Sequence, residues 1–86
     1  MDTQSFTFHT DPGHGWLEVS KSQLETVGLG VDQISGYSYR NGDTLYLEED
    51  CDAGLFLARY KVKYGKLPEC LDRYAEDSFV RNLPHV

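Results

Sequence analysis

The stretch from Tyr37 to Asp50, Y-S-Y-R-N-G-D-T-L-Y-L-E-E-D, constrains the fold more than any other part of this chain. Asn41-Gly42 sits between two alternating runs, which is the strongest short-range signal for a β-hairpin with a two-residue turn. A type I′ turn needs positive φ at both central positions, and Asn-Gly supplies it at least strain. Centred there, the turn sets Arg40 opposite Asp43, Tyr39 opposite Thr44, Ser38 opposite Leu45 and Tyr37 opposite Tyr46. One face then carries Tyr37, Tyr39, Thr44 and Tyr46, and the other carries Ser38, Leu45 and Leu47. The hairpin runs out into an acidic segment, Glu48-Glu49-Asp50 and Asp52.

The rest of the chain reads as further short elements. Ser5 to His9 and Gly15 to Val19 alternate as strands around the turn formers Asp11-Pro12-Gly13-His14. A four-residue loop pairs Phe8 with Leu17, Phe6 with Val19, His9 with Trp16 and Thr7 with Glu18, so the large aliphatics and both Phe residues share a face. Ser20 and Gln23 fit a capping box for a short helix, with Leu24 and Val27 on one side and Gly28 as its stop. Val31 to Ile34 reads as a turn or 3₁₀ segment. A second helix is expected from Asp52 to Tyr64, capped by Asp50 or Asp52, with Cys51, Leu55, Ala58 and Val62 as its buried stripe and Gly65 as its end. A final strand is expected from Cys70 to Tyr74, after Pro68.

The order is ββαββαβ, which predicts a single α+β domain over residues 1–86, a mainly antiparallel sheet with helices on one face. The expected core is Phe6, Phe8, Leu17, Val19, Leu24, Val27, Leu45, Leu47, Leu55, Ala58 and Val62. The opposite face of a joined sheet presents His9, Trp16, Tyr37, Tyr39 and Tyr46, unless the C-terminal segment lays Phe79 and Leu83 over them.

The formal net charge of −6 over 86 residues argues against direct binding to nucleic acid or an anionic membrane, and admits a protein partner with a basic, nucleic-acid-binding surface. Cys51 and Cys70 form no CxxC pair and no disulfide framework. Free thiols, and a start from Met1 to Phe8 without a basic or apolar run, suggest a cytoplasmic protein. Nothing in the pattern sets an oligomeric state.

Two groups of residues are candidates for function. Tyr37, Tyr39 and Tyr46 beside Glu48, Glu49 and Asp50 form an aromatic and acidic surface suited to a protein partner, because Tyr offers contact area at low entropy cost. The alternative is a ligand site at His9, Asp11, His14 and Trp16, since imidazole and carboxylate suit a transition metal. The His spacing matches no standard zinc pattern, and Glu48 to Asp52 lacks EF-hand spacing, so neither metal nor cofactor is expected. No Ser lies in a nucleophile elbow and neither Cys in an activating motif, so no catalytic residue is expected.

The segments F-H-T-D-P-G-H-G-W-L-E-V, Y-S-Y-R-N-G-D-T-L-Y-L-E-E-D-C-D and D-S-F-V-R resemble a family of small uncharacterised bacterial proteins from plasmids, prophages and other mobile elements. The resemblance spans Phe8 to Arg81 and carries over no catalytic or binding residue. It implies a bacterial, mobile-element setting. The expectation is a non-enzymatic binding protein, an accessory factor or an inhibitor of a host defence system (restriction or CRISPR) acting by steric and acidic blockade of a protein partner.

Overall fold

Residues 4–86 are described by a computed structural model. Alternating side chains at the start of the chain form β1 (Ser5–Thr10) and β2 (Gly15–Ser20). They pair antiparallel in the register set by the apolar pattern, with Phe8 opposite Leu17, His9 opposite Trp16 and Thr10 opposite Gly15. Helix α1 (Lys21–Thr26) follows at once, and its ends explain its shortness. The Ser20 hydroxyl accepts the Gln23 N–H while the Gln23 side chain accepts the Ser20 N–H. At the other end Gly28, at φ 84°, turns the chain. Its N–H reaches the Glu25 carbonyl, and Leu29 N–H reaches Leu24. That is a Schellman stop with its buried Leu24–Leu29 contact. A 3₁₀ turn (Val31–Gln33) then leads to β3 (Tyr39–Asn41), β4 (Thr44–Glu48), helix α2 (Asp52–Tyr64) and β5 (Glu69–Tyr74), and a second 3₁₀ turn covers Phe79–Asn82.

The five strands form one sheet in the order β3-β4-β2-β1-β5. All neighbours are antiparallel except β1 and β5, which run parallel. The α+β class and the ββαββαβ order hold.

The β3–β4 hairpin closes differently from the Asn-Gly expectation. Asn41 pairs with Thr44, Arg40 with Leu45 and Tyr39 with Tyr46, leaving Gly42-Asp43 as the two-residue loop. Tyr37 is therefore not opposite Tyr46, and Ser38 is not opposite Leu45. The reason is local: Gly42 takes φ 63° and no other hairpin residue takes positive φ. A type II′ turn needs positive φ only at its first central position, and Gly occupies it. The register moves by two residues, so the division of side chains between faces survives.

Phe6, Leu17, Val19, Leu45 and Leu47 pack against Leu24, Val27 and Leu29 from the α1 segment and against Ala53, Phe56 and Tyr60 from α2. The buried stripe of α2 is thus rotated from the expected one. Ala58 is exposed, Leu55 is at the margin and Val62 is 85% exposed. Cys51 precedes the helix as its N-cap and is exposed. Two aromatic rings outweigh the aliphatic stripe: Phe56 and Tyr60 meet Phe6 edge-on at 5.4 and 5.9 Å, and each ring removes more apolar area from water than Leu55 or Val62 could. Phe8 is only half-buried at the rim of this core.

The opposite face of the sheet is covered by the C-terminal segment. Val80 is fully buried against Trp16 and Tyr46, with Leu83 and Tyr39 alongside. Phe79 sets its ring on His9 and Tyr46 at 5.2 and 5.6 Å. The chain then continues along β3. Arg40 N–H donates to the Pro84 carbonyl and Val86 N–H to Ser38, so the tail closes the outer edge of that strand.

Candidate functional site

Where the tail meets the sheet, a cavity of about 460 Å³ remains. Its lining draws on four parts of the chain: His14 and Trp16 from the first hairpin, Tyr37 and Tyr39 before and in β3, Glu48, Asp50 and Cys51 after β4, and Arg81 and His85 from the tail. The two groups of candidate residues thus contribute to one site. Only part of each group reaches it.

The β1–β2 turn is built on Asp11. Its Oδ1 accepts the N–H groups of Gly13 and His14, both at 2.9 Å, and its backbone N–H donates to the His14 carbonyl. The same carboxylate receives Arg81 Nε on Oδ2 and Arg81 Nη2 on Oδ1 at 3.1 Å. Asp11 is buried. The Arg81 hydrogen bond holds its carboxyl well below the usual carboxylate range, against the opposing effect of burial, and the two turn N–H groups assist. The Arg81 guanidinium lies over the Trp16 ring at 5.2 Å. Asp11 therefore does not line the cavity. It fixes His14 and the arginine that do, and it takes up the arginine's charge.

Trp16 forms the floor. It is 2% exposed, and its indole N–H is buried without a hydrogen-bond partner among the described residues. Gly15 beside it has no room for a side chain, since a Cβ there would meet the Phe8 ring at 2.8 Å. Tyr39 stands edge-on to Trp16 at 6.0 Å and lies against the His85 ring at 4.2 Å. His85 Nδ1 donates to the Gly36 carbonyl at 2.7 Å, which holds the tail over the segment before β3. Tyr37 is 70% exposed and forms the outer wall.

The acidic side follows from the end of β4. Glu48 Oε1 accepts the Asp50 N–H at 3.0 Å, and Glu48 Oε2 lies 4.0 Å from His14 Nδ1. Glu49 N–H donates to the Gly15 carbonyl, which carries the β2–β4 pairing past the strand end. His14, Glu48 and Glu49 each place one ligand atom within 4.8 Å of the others. This cluster offers one nitrogen and two carboxylates to a divalent ion. Withdrawal of the Cys51 sulfur from water raises its thiol pKa, and Glu48, Asp52 and Asp50 push it further up. Both effects work against a thiolate at this position.

Four expected site residues do not line the cavity: Asp11, which supports it from behind, Glu49, which lies beside it, and Tyr46 and His9, which are buried away from it. Tyr46 is buried under Phe79 and Val80, so it is not available as a surface anchor. Burial raises its hydroxyl pKa, with a contribution from Glu18. His9 is buried too, and its Nε2 meets Glu18 Oε1 at 2.7 Å. Both faced solvent in the sequence reading, which left the tail's position open. The sequence does not bring Arg81 or His85 to a site. Their only sequence signal is a basic residue three positions after Ser78 and a His next to the last residue, and neither marks a return to the first hairpin.

Asp52 has a different task from the cap expected of it. Buried at the first position of α2, its carboxylate accepts the Ser35 N–H at 3.1 and 3.2 Å, the Ser35 hydroxyl at 2.6 Å and the Ser38 hydroxyl. The Ser38 oxygen in turn accepts the Glu48 N–H at 2.9 Å. This chain of bonds sets the segment carrying Tyr37 and Tyr39 against the segment carrying Glu48 and Asp50.

No family model, no curated protein and no solved structure matches this chain, so the site is read from its own geometry. No helix among the described residues is long and apolar enough to cross a membrane.

Proposed function

We propose that this is a non-enzymatic binding protein whose cavity receives a basic side chain on the surface of a protein partner. The observation that supports this reading most is the lining of the cavity: three aromatic rings, Trp16, Tyr37 and Tyr39, beside the carboxylates of Glu48 and Asp50. Arg81 adds no free positive charge, because Asp11 binds it through two hydrogen bonds. An ammonium or guanidinium gains from the exposed Tyr37 ring and from the carboxylates, with Trp16 as an apolar floor already covered by Arg81. The volume suits one side chain and its flanking backbone. With a net charge of −6, the approach of a basic partner is also favoured at long range. In the mobile-element setting, the proposed consequence is blockade of the nucleic-acid-binding surface of a host defence protein.

The test is titration of Nα-acetyl-arginine amide and Nα-acetyl-lysine amide into isotope-labelled protein, with Nα-acetyl-glutamine amide as control. The expected result is saturable shifts at Trp16, Tyr37 and Tyr39 with the basic probes, weakened by added salt and by Glu48→Gln with Asp50→Asn. Equal shifts with the glutamine probe would remove the cation from the argument. A second reading, a divalent cation at His14, Glu48 and Glu49, is favoured by the proximity of those three ligand atoms. Zinc or manganese titration followed at the His14 ring separates the two, since Glu49 is outside the cavity lining.

A further inference from the structure

The two edges of the sheet are treated differently. At β3 the tail supplies hydrogen bonds along the strand, through Pro84 and Val86 and an antiparallel bridge from Tyr39 to His85. At the other end, among the described residues, β5 pairs with β1 alone, and all six residues of Glu69–Tyr74 are exposed. Leu71 and Tyr74 are 51% and 60% exposed there. A six-residue open edge with apolar side chains is a template for strand pairing. We infer that this edge pairs antiparallel with β5 of a second copy of the chain, in a register centred on Leu71, to give a two-fold dimer with a continuous ten-stranded sheet.

The hydrogen bonds determine which registers are open. Glu69 N–H donates to Gln4 and Ala75 N–H to Thr10, so the odd-numbered residues of β5 turn their backbone groups toward β1. The even-numbered residues, Cys70, Asp72 and Tyr74, turn theirs outward. Two-fold pairing then requires an even residue opposite an even residue. Centred on Asp72, it would set two aspartates directly opposite each other. Centred on Leu71, it sets Leu71 against Leu71, Cys70 against Asp72, and Glu69 against Arg73 at both ends. Cross-strand neighbours of opposite charge and paired apolar side chains stabilise a sheet, and like charges do the reverse. The sequence E-C-L-D-R is self-complementary only in the second register.

The experiment is sedimentation equilibrium of the full chain at near-physiological salt, with amide exchange measured at low and high protein concentration. The expected result is a monomer–dimer equilibrium. Cys70, Asp72 and Tyr74 amides should gain protection with concentration while Leu71 and Arg73 stay constant. Arg73→Glu should weaken dimerisation by about tenfold, by placing like charges at both ends, and Glu69→Arg combined with Arg73→Glu should restore it. Asp72→Pro removes only an outward N–H, so it should abolish the dimer while leaving the β1–β5 bonds in place. Circular dichroism of each variant establishes that it is folded. A wild-type chain that stays monomeric at millimolar concentration overturns the inference. So does a dimer indifferent to Arg73→Glu, or one that the charge-swapped pair fails to restore.

Discussion

Replacing Asp52 by Ala should cost more stability than most single substitutions outside the apolar core. The carboxylate is buried and accepts from one backbone N–H and two hydroxyls. Each hydrogen bond to a charged group contributes about 1.5–3 kcal/mol, so losing three such acceptor contacts has a gross cost of about 5–9 kcal/mol. Part of this is returned, because the folded state no longer desolvates a carboxylate, and because Ser35 is half-buried and regains water. Ser38 is fully buried and does not regain it. The net loss should be about 3–4 kcal/mol, the scale seen when one partner of a buried polar interaction is removed. A chain of 86 residues has a total stability of about 4–13 kcal/mol. The melting temperature should therefore fall by at least about 12 °C. Urea denaturation followed by circular dichroism measures the loss directly, and Ser38→Ala completes a double-mutant cycle with it. A loss below about 1 kcal/mol, or additive effects of the two substitutions, would show that the Asp52–Ser38–Glu48 chain does not hold α2 and the hairpin together.

Three further outcomes are expected. The Asp11 carboxyl is depressed in the folded state by Arg81, so its contribution is present above the unfolded carboxyl pKa of about 3.9 and is lost as pH falls through the folded value. Asp11→Asn should therefore be less stable than wild type at pH 7, and the gap between the two melting temperatures should begin to close below about pH 4 and go on closing as pH falls further. Gly42→Ala should cost about 1–2 kcal/mol through strain at φ 63° alone, because a Cβ there meets nothing within 4 Å; Gly42→Asn should cost less, and equal costs in chemical denaturation would refute a strain origin. Cys51 and Cys70 both have raised thiol pKa values, chiefly through desolvation, so both should react with iodoacetamide at pH 7.4 more slowly than free cysteine, an ordering that mass spectrometry of timed samples checks.

Much of the frame was legible because local chemistry fixed it. Ser20 and Gln23 set the start of α1, Gly28 its end, and Gly65, at φ 80°, the end of α2. The β1–β2 register followed from which alternation gathers Phe8 and Leu17 on one face. The hairpin register failed where two turn types compete for one Asn-Gly-Asp sequence, and only the backbone decides between Asn41-Gly42 and Gly42-Asp43 as the loop. The α2 stripe failed because periodicity admits two faces. Leu55, Ala58 and Val62 satisfy helical spacing as well as Ala53, Phe56 and Tyr60 do, and the choice rests with the Phe6 ring across the sheet. The site was half legible. Tyr37, Tyr39, Glu48 and Asp50 lie within one hairpin segment and His14 and Trp16 within another, whereas Arg81 and His85 reach the site by a long-range return that no local pattern encodes.

That return explains why Tyr46, on β4, is buried while Tyr37, in the turn before β3, stays exposed. A bare face bearing His9, Trp16, Tyr39 and Tyr46 would be a large exposed aromatic patch, which favours non-specific association. Val80 and Phe79 remove most of it from water. The Asp11–Arg81 pair anchors the segment to the first turn, and the Pro84–Val86 bonds anchor it to β3. Between these two anchors the tail bridges Trp16 and Tyr39 without filling the space beside Tyr37. The cavity is the gap left between the two anchors, so its shape depends on both. With β3 closed in the same way, strand pairing is confined to β5, four strands away in the order of the sheet. The cavity lining reaches inward to Trp16 on β2, two strands from β5, so at about 4.8 Å per strand step the proposed partner site and the proposed dimer edge lie roughly 10 Å apart or more. A dimer through β5 would therefore leave both cavities open, one at each end of the joined sheet.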